Sequence, residues 1–243
     1  MNTSPNPAHT ATANTFPLVV LPTPAGNGDT TAAVPAQAQR VQRNTYALLS
    51  MTLLFSAAAA ALSVAAKLPA PGLVLMLVGS FGLLFAVHKL QNSGWAVPAV
   101  FAFTGFMGYS LGPVLNKTLA LPGGAQTVMM ALAATGVTFL ALSAWVLATR
   151  RDFSAMGGFL FAGMVVALLA GLGAVFLQMP ALGLAVSAMV ALLSAGLILF
   201  ETSRIVRGGE TNYVLATVGL YLSIFNLFSS LLALFGFGGS SDD

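Results

Sequence analysis

Glu201 is the residue of this chain best placed to do chemistry. It follows a long apolar run, Leu182–Phe200, and two guanidinium groups come after it, Arg204 and Arg207. An ionisable group at membrane depth is a functional candidate by default. At the membrane surface the same acid would be an ion-pair partner for Arg204 or Arg207, and both readings stand. Burial and a neighbouring guanidinium pull its protonation in opposite directions. The apolar run that begins after Asn212 supplies polar groups to work with it. Asn212, Ala216, Gly219, Ser223, Asn226, Ser230 and Ala233 recur at spacings of 4, 3, 4, 3, 4 and 3, which places them on one stripe of a helix. Leu215, Leu222, Phe225 and Leu232 fall on the opposite surface. In lipid, a stripe of small and polar side chains is either a close-packing seam or a water-lined path. As a path, Glu201 with Ser223 and Asn226 would carry a cation or a proton. Tyr221, like Tyr109 earlier in the chain, has a hydroxyl that needs a partner inside a helix bundle.

Other chemistries find no support. There is no His-Glu-x-x-His zinc pair, no Gly-x-Ser-x-Gly elbow and no phosphate-binding glycine loop. Serines occur in the apolar runs, but no histidine lies inside one to activate them. Intramembrane aspartyl-protease chemistry would need two carboxylates in the apolar runs, and there are not two. Cysteine is absent, which removes disulfides, thiol catalysis and thiolate metal sites. His9 and His88 are too far apart to form a metal cluster. His88, beside Lys89, reads as an interfacial anchor or a pH-sensing group. The sequence therefore points to a protein that is not an enzyme and calls for no cofactor.

The elements that must position Glu201 and its candidate partners are membrane spans. Hydrophobic residues make up 57% of the 243 residues and charged residues only 6%, against roughly 25% charged in a soluble domain. Ten charges lie between Asn44 and Gly236, all in short gaps between apolar runs. Runs of about 18 or more apolar residues read as membrane-spanning helices. The gaps predict spans at about 46–66, 72–87, 96–115, 127–148, 157–177, 182–200 and 213–235. The run Phe153–Phe200 has 48 residues without a charge. As one helix it would be roughly 72 Å long, over twice the hydrocarbon core, so it divides, and Pro180 marks the turn. The ten-residue alternation of a membrane β-barrel is missing. Residues 1–42, rich in Pro, Ala, Thr and Asn, read as a disordered tail, and residues 238–243 as a short external one. The fold class is an all-α seven-transmembrane-helix bundle, with the striped C-terminal helix at its centre.

Seven spans place the two ends of the bundle on opposite sides. Arg40, Arg43, Lys89, Arg150, Arg151, Arg204 and Arg207 fall on the side of the N-terminal flank, and only Lys67 and Lys117 on the other. That seven-to-two ratio predicts a cytoplasmic N-terminus and an external C-terminus. The net charge of +3 fits basic loops at a lipid surface, and no Lys/Arg run suggests nucleic acid.

Several separated motifs carry a resemblance. Phe200–Tyr213 reads Phe-Glu-Thr-Ser-Arg-Ile-Val-Arg-Gly-Gly-Glu-Thr-Asn-Tyr, and Leu220–Phe228 reads Leu-Tyr-Leu-Ser-Ile-Phe-Asn-Leu-Phe. Together they resemble the signature of the Bax inhibitor-1 family. Arg43–Ser50, Phe101–Pro113 and Phe176–Leu182 are similar to its bacterial YccA-like branch, so the resemblance covers about residues 43–237. It implies a seven-helix fold with a central last helix and a place in the bacterial inner membrane. It also implies two roles. One is binding and modulating FtsH, a membrane-bound ATP-dependent zinc protease, in membrane-protein quality control. The other is a calcium or proton leak governed by a carboxylate pair. Glu201 matches the first carboxylate, with Glu for the usual Asp. The helix-7 position of the second is Ser223, so the pair is incomplete, and serine cannot share a proton as two close carboxylates do. On this resemblance the candidate ion path or pH switch comprises Glu201, Ser223, Asn226, Tyr221, Arg204 and Arg207, and the favoured role is protease modulation.

Overall fold

The computed structural model of the chain describes residues 28–238. Among them the regular structure is helical: α1 (Gly28–Ala65), α2 (Leu73–Leu90), α3 (Ala96–Leu119), α4 (Gly124–Thr149), α5 (Gly157–Phe176), α6 (Pro180–Val206) and α7 (Tyr213–Gly238), with one 3₁₀ turn at Ser154–Met156. All seven helices contain a stretch long and apolar enough to cross a bilayer.

Helix α7 is the axis. It packs against α1, α3, α4 and α6. Half of its apolar window is buried, against 6% for α2 and 17% for α5. Ala216, Leu220, Ser223 and Leu227 of α7 are buried along one stripe, and Tyr221, Ile224 and Leu232 are buried beside it. Helix α2 packs on α3, and α5 on α6, so these two helices form the periphery.

Small residues set the tightest contact, between α1 and α3. A Cβ on Gly108 would collide with the Ser56 carbonyl oxygen, and one on Gly112 with the Ser63 hydroxyl. Close backbone approach is how helices associate where lipid supplies no hydrophobic drive. Pro113 sits inside α3. It has no N–H for the carbonyl four residues earlier, that of Tyr109. The Ser63 hydroxyl donates to that carbonyl at 3.1 Å. The backbone acceptor orphaned by proline in a dry interior is thus satisfied from the neighbouring helix.

Most of the helices are longer than the apolar runs that announced them. α6 continues to Val206, not Phe200, and α3 to Leu119. The 27 residues of α6 span roughly 40 Å at 1.5 Å per residue, longer than the hydrocarbon core. A charge ends an apolar run but does not end a helix, because Glu and Arg are good helix formers. α1 begins at Gly28, so residues 28–42, expected to belong to an unstructured tail, are helical, and Val41 is buried. Ala and Gln make up seven of those fifteen residues, which favours helix without raising hydropathy. The remainder of that expected tail, and residues 239–243, lie outside the described residues.

Candidate functional site

The α6 extension carries Glu201 one turn before Arg204. The Glu201 side chain is 15% exposed and lies against Gly219 of α7. A Cβ on Gly219 would stand 2.9 Å from the Glu201 carboxyl carbon. The absent side chain at Gly219 is what admits the carboxylate between the helices. Its cationic partner is Arg204, with Nη1 at 3.6 Å.

Arg204 is the hub. Its Nη2 donates to Glu210 Oε2 at 2.8 Å, and its guanidinium lies 5.4 Å from the Phe200 ring centroid. Glu210 is buried in turn, and its Oε1 accepts from the Asn212 amide at 3.0 Å. The Asn212 side chain closes the chain of contacts. Its Oδ1 accepts the Val214 N–H at 2.9 Å, capping the start of α7, and its amide group donates to the Gln91 carbonyl (3.3 Å) and Asn92 Oδ1 (3.2 Å). One polar network therefore runs from Glu201 through the α6–α7 loop to the α2–α3 loop.

The α4–α5 loop joins from another direction. The Phe153 N–H donates to Ser203 Oγ at 3.1 Å, and the Ser203 hydroxyl donates to the Arg151 carbonyl at 3.2 Å. Arg207 points away from Glu201 and pairs with Asp152 at 3.1 Å. Donation by the Ser154 hydroxyl and N–H, with Arg207 beside it, holds the Asp152 carboxyl below the usual carboxylate range.

The six residues singled out from sequence thus separate. Glu201 and Arg204 meet each other and α7. Ser223 lies one turn beyond Gly219, 2% exposed, with its hydroxyl donating to the Gly219 carbonyl at 3.0 Å. Asn226 continues the same stripe, half-buried, without a hydrogen-bond partner among the described residues. Tyr221 faces α1 and α3. Its hydroxyl lies 2.7 Å from Ser56 Oγ and donates to the Thr104 carbonyl at 3.3 Å, with Phe103 edge-on to its ring. Arg207, at the C-terminal cap of α6, ties that end to the α4–α5 loop through Asp152. Among the described residues no three His, Cys, Asp or Glu side chains gather to hold a metal.

Glu210, Ser203, Gln91 and Asn92 were not singled out from sequence. Asn212 immediately before the apolar run of α7 is a readable helix cap. Gln91 and Asn92 carry no local signal, because their partner is 120 residues away.

The arrangement is a central helix clamped to α6 by an acid against glycine, with loops knotted at one end. The family described as inhibitor of apoptosis-promoting Bax1 matches residues 38–240. The chain belongs to this Bax inhibitor-1 family. Among family relatives, the "Modulator of FtsH protease YccA" of Escherichia coli K12 is 52% identical over 198 residues, covering 82% of this chain and 90% of the relative. A second Escherichia coli strain has an "Inner membrane protein YccA" at the same identity and coverage. A Pseudomonas aeruginosa protein is 49% identical over 202 residues, covering 83% and 91%. Seven apolar helices and this family membership make the chain a multi-pass membrane protein.

Proposed function

We propose that this Bax inhibitor-1 family member is a non-enzymatic inner-membrane protein that binds an FtsH-type membrane protease and moderates its degradation of membrane proteins. The observation that carries this reading is the 52% identity across 90% of a relative named for that modulation. The seven-to-two distribution of Lys and Arg supports an orientation with the α2–α3, α4–α5 and α6–α7 loops and the N-terminal segment in the cytoplasm, and the opposite end in the periplasm. In that orientation residues 1–36 lie where an ATP-driven protease could grip the chain.

The test is co-purification of the full chain, and of a form lacking residues 1–36, with the membrane-embedded protease, alongside turnover of a membrane-protein substrate. Association with slowed turnover is expected of the full chain. Absence of both association and any change in turnover, for both forms, would refute the reading. The competing role, a pH-sensitive calcium or proton leak, would use Glu201 with Ser223 and Asn226. It predicts flux through liposomes that Glu201→Gln alters, whereas the modulator reading predicts flux no greater than that of empty liposomes.

A further inference from the structure

At the end of the bundle away from Glu201, a groove of about 640 Å³ opens between α1 and α4, with α3 beside it and α7 as its floor. Ala57 and Ala60 of α1, Leu115 of α3, Gly136 of α4, and Phe225 and Phe228 of α7 give its character. The volume is within the roughly 300–1,000 Å³ of ligand sites, but the chemistry is unlike that of most. The hydroxyls among its lining residues are already engaged: Ser56 with Tyr221 at 2.7 Å, and Thr135 with the Ala131 carbonyl at 2.7 Å. An occupant meets carbon and no free hydrogen-bonding side chain, so it is a hydrocarbon chain.

The groove reaches the C-terminal ends of α1 and α3 through Val64, Ala65 and Leu119. The Asn116 side chain donates to the Val64 carbonyl at 3.5 Å and holds those two ends together. Lys67 and Lys117 stand there, both exposed and neither with an acidic partner among the described residues. They are the two cations of that end, and the acids whose side chains the structure describes, Asp152, Glu201 and Glu210, all lie at the other. An apolar slot that ends at two unpaired lysines fits a chain with an anionic head. We propose that the groove binds one acyl chain of an anionic phospholipid, whose phosphate is held by Lys67 and Lys117.

Native mass spectrometry of the full-length protein, released from detergent with phosphatidylglycerol and phosphatidylethanolamine at equal concentration, tests this. The wild-type protein is expected to retain one phosphatidylglycerol about tenfold more than phosphatidylethanolamine. Gly136→Phe plugs the groove. A Cβ there meets nothing within 4 Å, so the new side chain starts into open space at the groove wall, and phenylalanine suits a helix better than glycine does. This variant should lose the retained lipid while melting at or above the wild-type temperature. Lys67→Gln with Lys117→Gln should keep a retained lipid but lose the preference between headgroups. Equal retention of the two lipids by the wild-type protein, as expected if the groove instead receives a partner's transmembrane helix, would overturn the proposal. So would undiminished phosphatidylglycerol retention by a normally melting Gly136→Phe protein.

Discussion

The two ends of the bundle are held by different physics. At the Glu201 end, loops that are far apart in sequence are tied by charged and amide groups: Arg204 to Glu201 and Glu210, Asn212 to Gln91 and Asn92, Ser203 to Arg151 and Phe153. At the other end α1 and α3 touch through Gly108 and Gly112, and α4 stands off across an apolar groove. Polar ties are directional and fix the loops in one register. Small-residue packing fixes distance but leaves lateral openings that lipid can enter. One end is therefore suited to presenting a defined surface to another protein, and the other to exchange with the bilayer.

Breaking the hub should separate the ends most clearly. Arg204→Ala leaves Glu201 and Glu210 facing each other without their shared cation; with the arginine a third exposed, the cost falls between that of exposed and buried pairs, about 2 kcal/mol. The expected outcome is a clear drop in melting temperature in detergent, most of it recovered when Glu201→Gln and Glu210→Gln are added. Next, Gly219→Leu drives a side chain into the Glu201 carboxylate. Overpacking of this kind costs about 2 kcal/mol, and denaturant titration should register it, whereas Gly136→Phe at the other end should not be penalised. Ser63→Ala strips the Tyr109 carbonyl of its donor beside Pro113 and should cost about 1 kcal/mol. That loss would show that the groove end contains one indispensable polar contact. The smallest effect belongs to Asp152→Asn, because the Arg207–Asp152 pair is about half exposed and such pairs contribute little. Its sign with pH is nevertheless fixed. With the folded Asp152 carboxyl held below its usual range, its contribution is full above the unfolded value near 3.9 and disappears as the pH falls through the lower folded value. Thermal scans of the wild-type and Asp152→Asn proteins should converge in acid.

The number of spans and their class were legible because hydropathy reports the solvent around a helix, and that solvent is lipid. Helix ends were not, since the α6 residues Glu201–Val206 leave the hydrocarbon without leaving the helix. The α7 stripe was legible as a periodicity, and Gly219 proved to be its most consequential member only through Glu201, 18 residues earlier. Glu201 was legible as the unusual acid. Its sharing of Arg204 with Glu210 was not, because that contact requires the α6–α7 loop to fold back. Pro113 announced a missing hydrogen bond, but nothing local could name Ser63 as its replacement.

The central position of α7 has a consequence in time. Six spans are synthesised before it, and each has to enter the bilayer while the surface it will share with α7 is still bare. Ser56 and Thr104 wait for the Tyr221 hydroxyl, and Glu201 waits for the notch at Gly219. Until α7 arrives, an incomplete chain displays a carboxylate and the Ser56 hydroxyl without its Tyr221 partner, so the unfinished protein is chemically marked as unfinished.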